Sequence, residues 1–282
     1  MVEKIMIKLI GTGLNLLGAV SPIYAGKVGF NVFCNPFKVK LKPYQLSFLN
    51  TAEKFTVDID NFKVQCYKWG NGSKKVLFVH GWASHSFRWK NYIEHFKNKD
   101  YTIYAFDAGG HGLSEGKYLN LIINAYTIQK VVEYIGGVDV AICHSFGGFS
   151  MAYLLKHSPE TAIGKTVIMG SPGEASQFFS FYQDKLKLTN KTTQAIIDRF
   201  KKVINKTPQY FSSPAFAKEI NIPCLIVHDK KDEEAPVETA IELHKNWKNS
   251  KLILTEGLGH HLKSKELIIK VEEFVNDNYK FT

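Results

Sequence analysis

Six short apolar runs, spaced along the chain with helix-like stretches between most of them, limit what it can fold into more than any other feature. They fall at residues 76–79, 102–106, 138–142, 166–169, 224–227 and 252–254. Rich in Val and Ile and without polar alternation, such runs suit strands buried on both faces of a parallel sheet. Helical patterns lie among them at 87–96, 119–134, 146–155, 237–247 and 265–275. Repeated strand–helix alternation predicts βαβ crossovers and a doubly wound sheet. Upstream, 54–59 and 62–67 flank Asp60-Asn61 and read as a hairpin. The expectation is an α/β protein with a mostly parallel, eight-stranded sheet and an antiparallel edge.

One interval breaks the rhythm. Residues 171–221 contain no convincing strand but several aromatics (Phe178, Phe179, Phe181, Tyr182, Tyr210, Phe211) and a helix-like 193–203. A structureless loop of that length is uncommon in a compact domain, so a small helical cap is expected as an insertion at about 173–218. The chain of 282 residues is then read as an N-terminal segment, 1–50, packed on or near the core, and one domain, 51–282, carrying the insertion.

The N-terminus poses the targeting question. Lys4 and Lys8 precede an uncharged stretch from Leu9 to Gly26, but a cut after Ala25 would put bulky Ile23 where a small residue is wanted. Gly11, Thr12, Gly13, Asn15, Gly18 and Pro22 interrupt the continuous apolarity that a membrane span requires. Ile5, Leu9, Leu16 and Val20 recur at helical intervals. An amphipathic helix packed on the body of the protein is expected, with an interfacial membrane helix (weak membrane-surface association) or a lid element as the second reading and a signal or anchor as the third.

Composition narrows the partners. At 45% hydrophobic and 22% charged residues, the disordered and polytopic membrane classes are excluded. The net charge is +10, yet Arg88 and Arg199 are the only arginines, and the lysines are scattered. Nucleic-acid sites lean on arginine forks and clustered basic stripes, so a solvated lysine surface is expected and no nucleic-acid partner. Cys34, Cys66, Cys143 and Cys224 match no zinc or CxxC spacing. No disulfide framework is expected, which favours a reducing, cytoplasmic compartment.

In a doubly wound sheet the reactive groups belong beyond the carboxyl ends of the strands. Those ends read His80-Gly81-Trp82, Asp107-Ala108-Gly109-Gly110-His111-Gly112, Cys143-His144-Ser145-Phe146-Gly147, Asp229 to Asp232, and Gly259-His260. From about residue 54 onward the chain resembles the α/β-hydrolase-fold serine hydrolases. Ser145 resembles their nucleophile in G-x-S-x-G, a strained strand-to-helix turn, with Cys143 in place of the first glycine. The family order of serine, acid and histidine implies Asp232, four residues before Pro236, as the acid and His260 as the base. His261, Asp229 and Glu174 are the competing residues. By the same resemblance, the backbone N–H groups of Trp82 and Phe146 would form an oxyanion hole, and the Trp82 indole would either line the pocket or serve structure.

The remaining histidines take plainer roles. His80 and His111 are expected to brace loops, the latter in a segment where Gly109 replaces the family's proline. His144 is expected to point away from Ser145, and His85, His157 and His228 carry no signal. A metal site from His80, His85, His111 and Asp107 lacks ligand spacing. The resemblance implies a cofactor-free esterase or lysophospholipase-like enzyme acting on a small acyl substrate through an acyl-enzyme. Thioester or C–C bond hydrolysis, acyl transfer on the same triad, and a non-catalytic binding protein are the alternatives.

Overall fold

The apolar runs form a single sheet of eight strands in the order β1-β2-β4-β3-β5-β6-β7-β8. In this computed structural model, which describes residues 2–277, the strands are β1 (Glu53–Ile59), β2 (Phe62–Trp69), β3 (Lys74–Val79), β4 (Tyr101–Phe106), β5 (Val138–His144), β6 (Ile163–Met169), β7 (Cys224–Asp229) and β8 (Ser250–Thr255). The hairpin β1–β2 is antiparallel and joins β4, while β4, β3, β5, β6, β7 and β8 run parallel. The chain has the α/β-hydrolase architecture expected of it. Most strands extend beyond their apolar runs, because ladder hydrogen bonds continue under polar residues such as Lys165 and Thr255.

Eleven α-helices accompany the sheet among the described residues: α1 (Val2–Val20), α2 (Pro22–Phe33), α3 (Pro43–Leu49), α4 (Lys90–Phe96), α5 (Leu121–Tyr134), α6 (Phe146–His157), α7 (Ala175–Leu186), α8 (Asn190–Ile204), α9 (Ser213–Ala217), α10 (Val237–Asn246) and α11 (Lys265–Val275). Val76, Phe78, Val140, Ile142, Val167 and Leu225 point to one side and form a single core with Ile93 and Phe96 of α4 and Val271 and Val275 of α11. The second face carries α6, whose Phe149, Met151, Ala152 and Leu155 are buried. Burial on both faces is the reason these strands lack alternation.

The chain separates into two compact units, one of residues up to Asn35 with Glu174–Ser212, the other of Pro36–Gly173 with Ser213–Thr282. The division therefore lies near residue 35 rather than residue 50; α3 belongs with the sheet, and its Leu49 is part of the core. In the helical unit, α1 and α2 pack on α7 and α8. Pro22 opens α2, yet hydrogen bonds from Ser21 N to Leu17 O (2.7 Å) and Ala25 N to Ser21 O (2.9 Å) carry the path across the junction. The glycines that break the apolar run form the packing seam. A Cβ at Gly11 would lie 1.9 Å from Leu186 O, one at Gly18 2.4 Å from Thr192 Oγ1, and one at Gly26 2.3 Å from Ala195 O. Asn15 ties the seam by donating to Lys187 O and accepting from Thr189 N, both at 2.9 Å. Phe33 stacks on Phe179 with ring centroids 4.7 Å apart. Among the described residues no helix is long and apolar enough to cross a membrane.

This seam predicts opposite outcomes for two neighbouring substitutions. Gly11→Ala meets backbone and is expected to destabilise the helical unit by about 1–3 kcal/mol. Gly13→Ala, with nothing within 4 Å of its Cβ, is expected to stabilise it by roughly 0.5–1 kcal/mol. Thermal unfolding followed by circular dichroism checks both, and equal shifts would contradict the seam.

Candidate active site

Ser145 lies between β5 and α6 with φ 52° and ψ −124°, a conformation that an L-residue adopts only when its surroundings impose it. The surroundings are close. A Cβ at Gly147 would sit 2.7 Å from His80 O and 2.9 Å from Val79 O, and one at Gly81 would sit 2.8 Å from Ser145 Cβ. Cys143, where the resemblance leads one to expect glycine, is fully buried and pairs with Val79 and Ile168 in the sheet. A thiol is small enough for that slot, and burial raises its pKa, so it remains a neutral packing group.

Three of the residues singled out in the sequence meet here. His260 Nε2 lies 3.0 Å from Ser145 Oγ. On its other side, His260 Nδ1 is 2.9 Å from Asp232 Oδ2 and 3.1 Å from Oδ1. The Asp232 side chain has no solvent exposure and also accepts from Glu234 N (2.8 Å) and Ala235 N (3.0 Å). Burial alone would raise its pKa; hydrogen bonds from His260, Ala235 and Glu234 reverse that and hold the carboxyl below its usual value. The negative charge is thus kept where it orients an Nδ1–H imidazole, leaving Nε2 to face the hydroxyl. The donors at Ser145 also draw on α6, whose N-terminus begins at the serine and directs its dipole there.

The competing residues stand elsewhere. His261 is exposed, and its carbonyl accepts from Arg88 Nη2 at 3.2 Å. Glu174 caps α7 and accepts from Ser176 Oγ at 2.8 Å. Asp229 accepts from Thr255 Oγ1 (2.8 Å), Leu258 N (2.8 Å) and Lys231 N (3.0 Å). Burial works against its charge, but these donors outweigh it and bring the carboxyl down to about 2. It joins the loop after β7, which carries Asp232, to the loop after β8, which carries His260.

Trp82 and Phe146 flank the serine, with ring centroids 5.4 Å apart. No hydrogen-bond acceptor faces the Trp82 N–H among the described residues. The turn bearing Trp82 is held by the neighbouring histidines. Ala83, at φ 49°, donates its N–H to His111 Nε2 at 3.1 Å, while His111 Nδ1–H donates to Gly109 O at 2.9 Å. His80 takes the same tautomer: Nδ1–H donates to Gly81 O (2.7 Å) and Nε2 accepts from Ala108 N (2.9 Å). Burial lowers both pKa values, that of His111 to about 4, so both rings stay neutral acceptors at pH 7. Between them, buried Asp107 accepts from Ser86 N, Ser86 Oγ, Tyr67 OH and Leu113 N, all within 2.7–2.9 Å. His85 and His228 are buried as well, the latter donating to Ala235 O at 2.8 Å, and His157 Nδ1–H donates to Tyr153 O. Among the described residues no group of His, Cys, Asp and Glu is arranged to hold a metal.

Sequence reasoning missed three neighbours. His144 donates Nε2–H to His260 O at 2.8 Å, pinning the backbone of the facing histidine. Arg88, whose pKa burial lowers to about 10, keeps its charge and holds the next carbonyl, that of His261. Glu234 brings an exposed carboxylate to 3.6 Å from His260 Nε2. The scarcity of arginine was the one signal that marked Arg88 out; for the other two, chain position alone carries no such mark.

A family model described as serine aminopeptidase, S33, matches residues 70–213. A bifunctional esterase/perhydrolase of Acinetobacter calcoaceticus is 25% identical over 247 residues, covering 70% of this chain and 89% of its own. A non-heme haloperoxidase of Rhodococcus erythropolis is 23% identical over 257 residues, covering 73% and 92%. The crystal structure of a Bacillus subtilis carboxylesterase superposes with a TM-score of 0.63 at 16% identity, covering 82% and 94%.

The two loop-bracing histidines predict an acid-sensitive fold. In the unfolded chain imidazoles protonate near pH 6.5, whereas folded His111 does so only near 4. Between these values the unfolded state binds more protons, so stability is complete above about pH 6.5 and falls as pH drops towards 4, by ~1.4 kcal/mol per pH unit for each histidine. In His111→Gln the amide oxygen still accepts from Ala83 N but does not titrate. Urea midpoints across this window are expected to show a shallower pH slope for the variant; an unchanged slope would contradict the neutral-acceptor assignment.

Proposed function

Because the chain belongs to the serine aminopeptidase S33 family within the α/β-hydrolase superfamily, we propose that it is a serine hydrolase that cleaves carboxylic esters through an acyl-enzyme. The observation that carries this reading is the hydrogen-bonded line from Ser145 Oγ through His260 to Asp232, in which an imidazole nitrogen faces a hydroxyl held at a strained turn. A serine hydroxyl is a weak nucleophile until a positioned base takes its proton, and that base needs a third group to set its tautomer. The esterase names of the Acinetobacter and Bacillus relatives support an ester rather than an amide.

In the first step Ser145 Oγ bonds to the acyl carbon and its proton passes to His260 Nε2. Asp232 remains ionised and stabilises the imidazolium. The carbonyl electron pair moves onto oxygen, where the N–H groups of Trp82 and Phe146 receive it. Such preorganised donors contribute on the order of 3 kcal/mol each. Collapse breaks the bond to the alkoxide, which takes the proton from His260 and leaves as alcohol. Water then attacks the acyl-enzyme, delivering a proton to the same nitrogen, and collapse releases the carboxylic acid and restores Ser145.

Hydrolysis of p-nitrophenyl esters from acetate to laurate tests the reading. Ser145→Ala is expected to lose at least about 10³-fold in kcat, and Asp232→Asn, which leaves the imidazole in the wrong tautomer, about 10⁴-fold. Wild type as inert as Ser145→Ala on every ester would refute ester hydrolysis.

A further inference from the structure

On α1 and α2 most of the small residues face inward while several large apolar ones face outward. On α1 and the start of α2, Gly11, Leu14, Gly18, Ala25, Gly26 and Gly29 are buried. On the opposite face at helical spacing stand Ile5 (53% exposed), Leu9 (68%), Leu16 (66%), Val20 (87%) and Ile23 (89%), flanked by Met6 and Tyr24. A surface helix normally buries such residues against the body and leaves polar ones in water. Here these residues recur over about five turns, with only Thr12 and Gly13 exposed between Leu9 and Leu16, and α7 and α8 already occupy the other side.

The charge of the molecule gathers on the same unit. Its two segments hold ten Lys and Arg against four Asp and Glu, a net +6 of the chain's +10. Lys27 continues the exposed stripe, and no acidic residue occurs between Lys4 and Ala52. On α1 and α2 themselves Lys8 and Lys27 are exposed, and an apolar face with lysines and no acid beside it matches the chemistry of an anionic bilayer surface, whose headgroups attract lysine while its acyl boundary accepts Leu, Ile and Val. A second copy of this chain fits poorly, since pairing through the stripe sets Lys8 and Lys27 of one copy against those of the other with no acid on α1 or α2 after Glu3 to offset them.

We propose that α1 and α2 lie in the interface of an anionic phospholipid membrane, with Ile5, Leu9, Leu16, Val20 and Ile23 in the acyl boundary. The proposal is independent of the reaction assigned to Ser145. Intact protein is sedimented with vesicles of phosphatidylcholine alone or mixed with phosphatidylglycerol. Wild type is expected to pellet with the anionic vesicles, less so as salt rises, and to stay largely in solution with the neutral ones. Leu16→Glu combined with Ile23→Glu is expected to weaken vesicle partitioning at least about tenfold, with its circular-dichroism melt unchanged. A second measurement guards against misfolding of that variant. Because the four native cysteines are all buried, Ile23→Cys accepts a polarity-sensitive dye selectively, and its emission is expected to shift blue on adding anionic vesicles. Wild type that stays in solution with anionic vesicles, or a dye with no shift, overturns the proposal. So does a wild-type dimer in light scattering that the double variant dissolves, which would assign the stripe to self-association.

Discussion

Everything at the site depends on how closely two strand ends approach each other. Where β3 and β5 finish, the chain leaves no room for a Cβ at Gly81 or Gly147, and within that contact Ser145 is forced to a positive φ. A hydroxyl at an ordinary φ would point along the helix it begins. Forced outward, it meets His260 from β8 and sits beside the Trp82 turn from β3. Close packing at backbone level, where nothing can yield, is thus converted into a half-buried, oriented side chain.

Such a contact holds only if the loops around it are rigid, and buried polar groups supply that rigidity. Asp107 satisfies both carboxylate oxygens with four donors, while His80 and His111 each spend one nitrogen as donor and the other as acceptor. Asp229, His144 and Arg88 do the same for the loops that carry Asp232 and His260. Buried polar networks cost stability when incomplete and specify geometry when satisfied, and these are nearly complete. His144 Nδ1 and His85 Nδ1 are exceptions, buried without a partner.

The sheet was legible because burial on both faces leaves an unmistakable apolar signature. The Ser145, His260 and Asp232 meeting was legible because those residues sit at strand ends within recognisable short motifs. What was not legible follows from the same physics. Backbone-to-side-chain braces such as Arg88 to His261 O or Asp229 to Leu258 N depend on which loops adjoin in space, and no local pattern encodes that. The N-terminal glycines argued against a membrane span, yet their use as a seam against α7 and α8 required knowing that residues about 175 positions away would arrive there.

That long separation bears on how the protein is made. Helices α1 and α2 are synthesised before the helices that cover their glycine faces, which are completed only at about residue 204. At roughly 5–20 residues per second, this leaves them waiting for about ten to thirty seconds. Glycine-rich helices have little intrinsic stability, so through that interval the segment is unpaired apolar chain, open to chaperones or to any nearby lipid surface. A seam that is tight in the finished molecule is, during synthesis, the last part of its own unit to close.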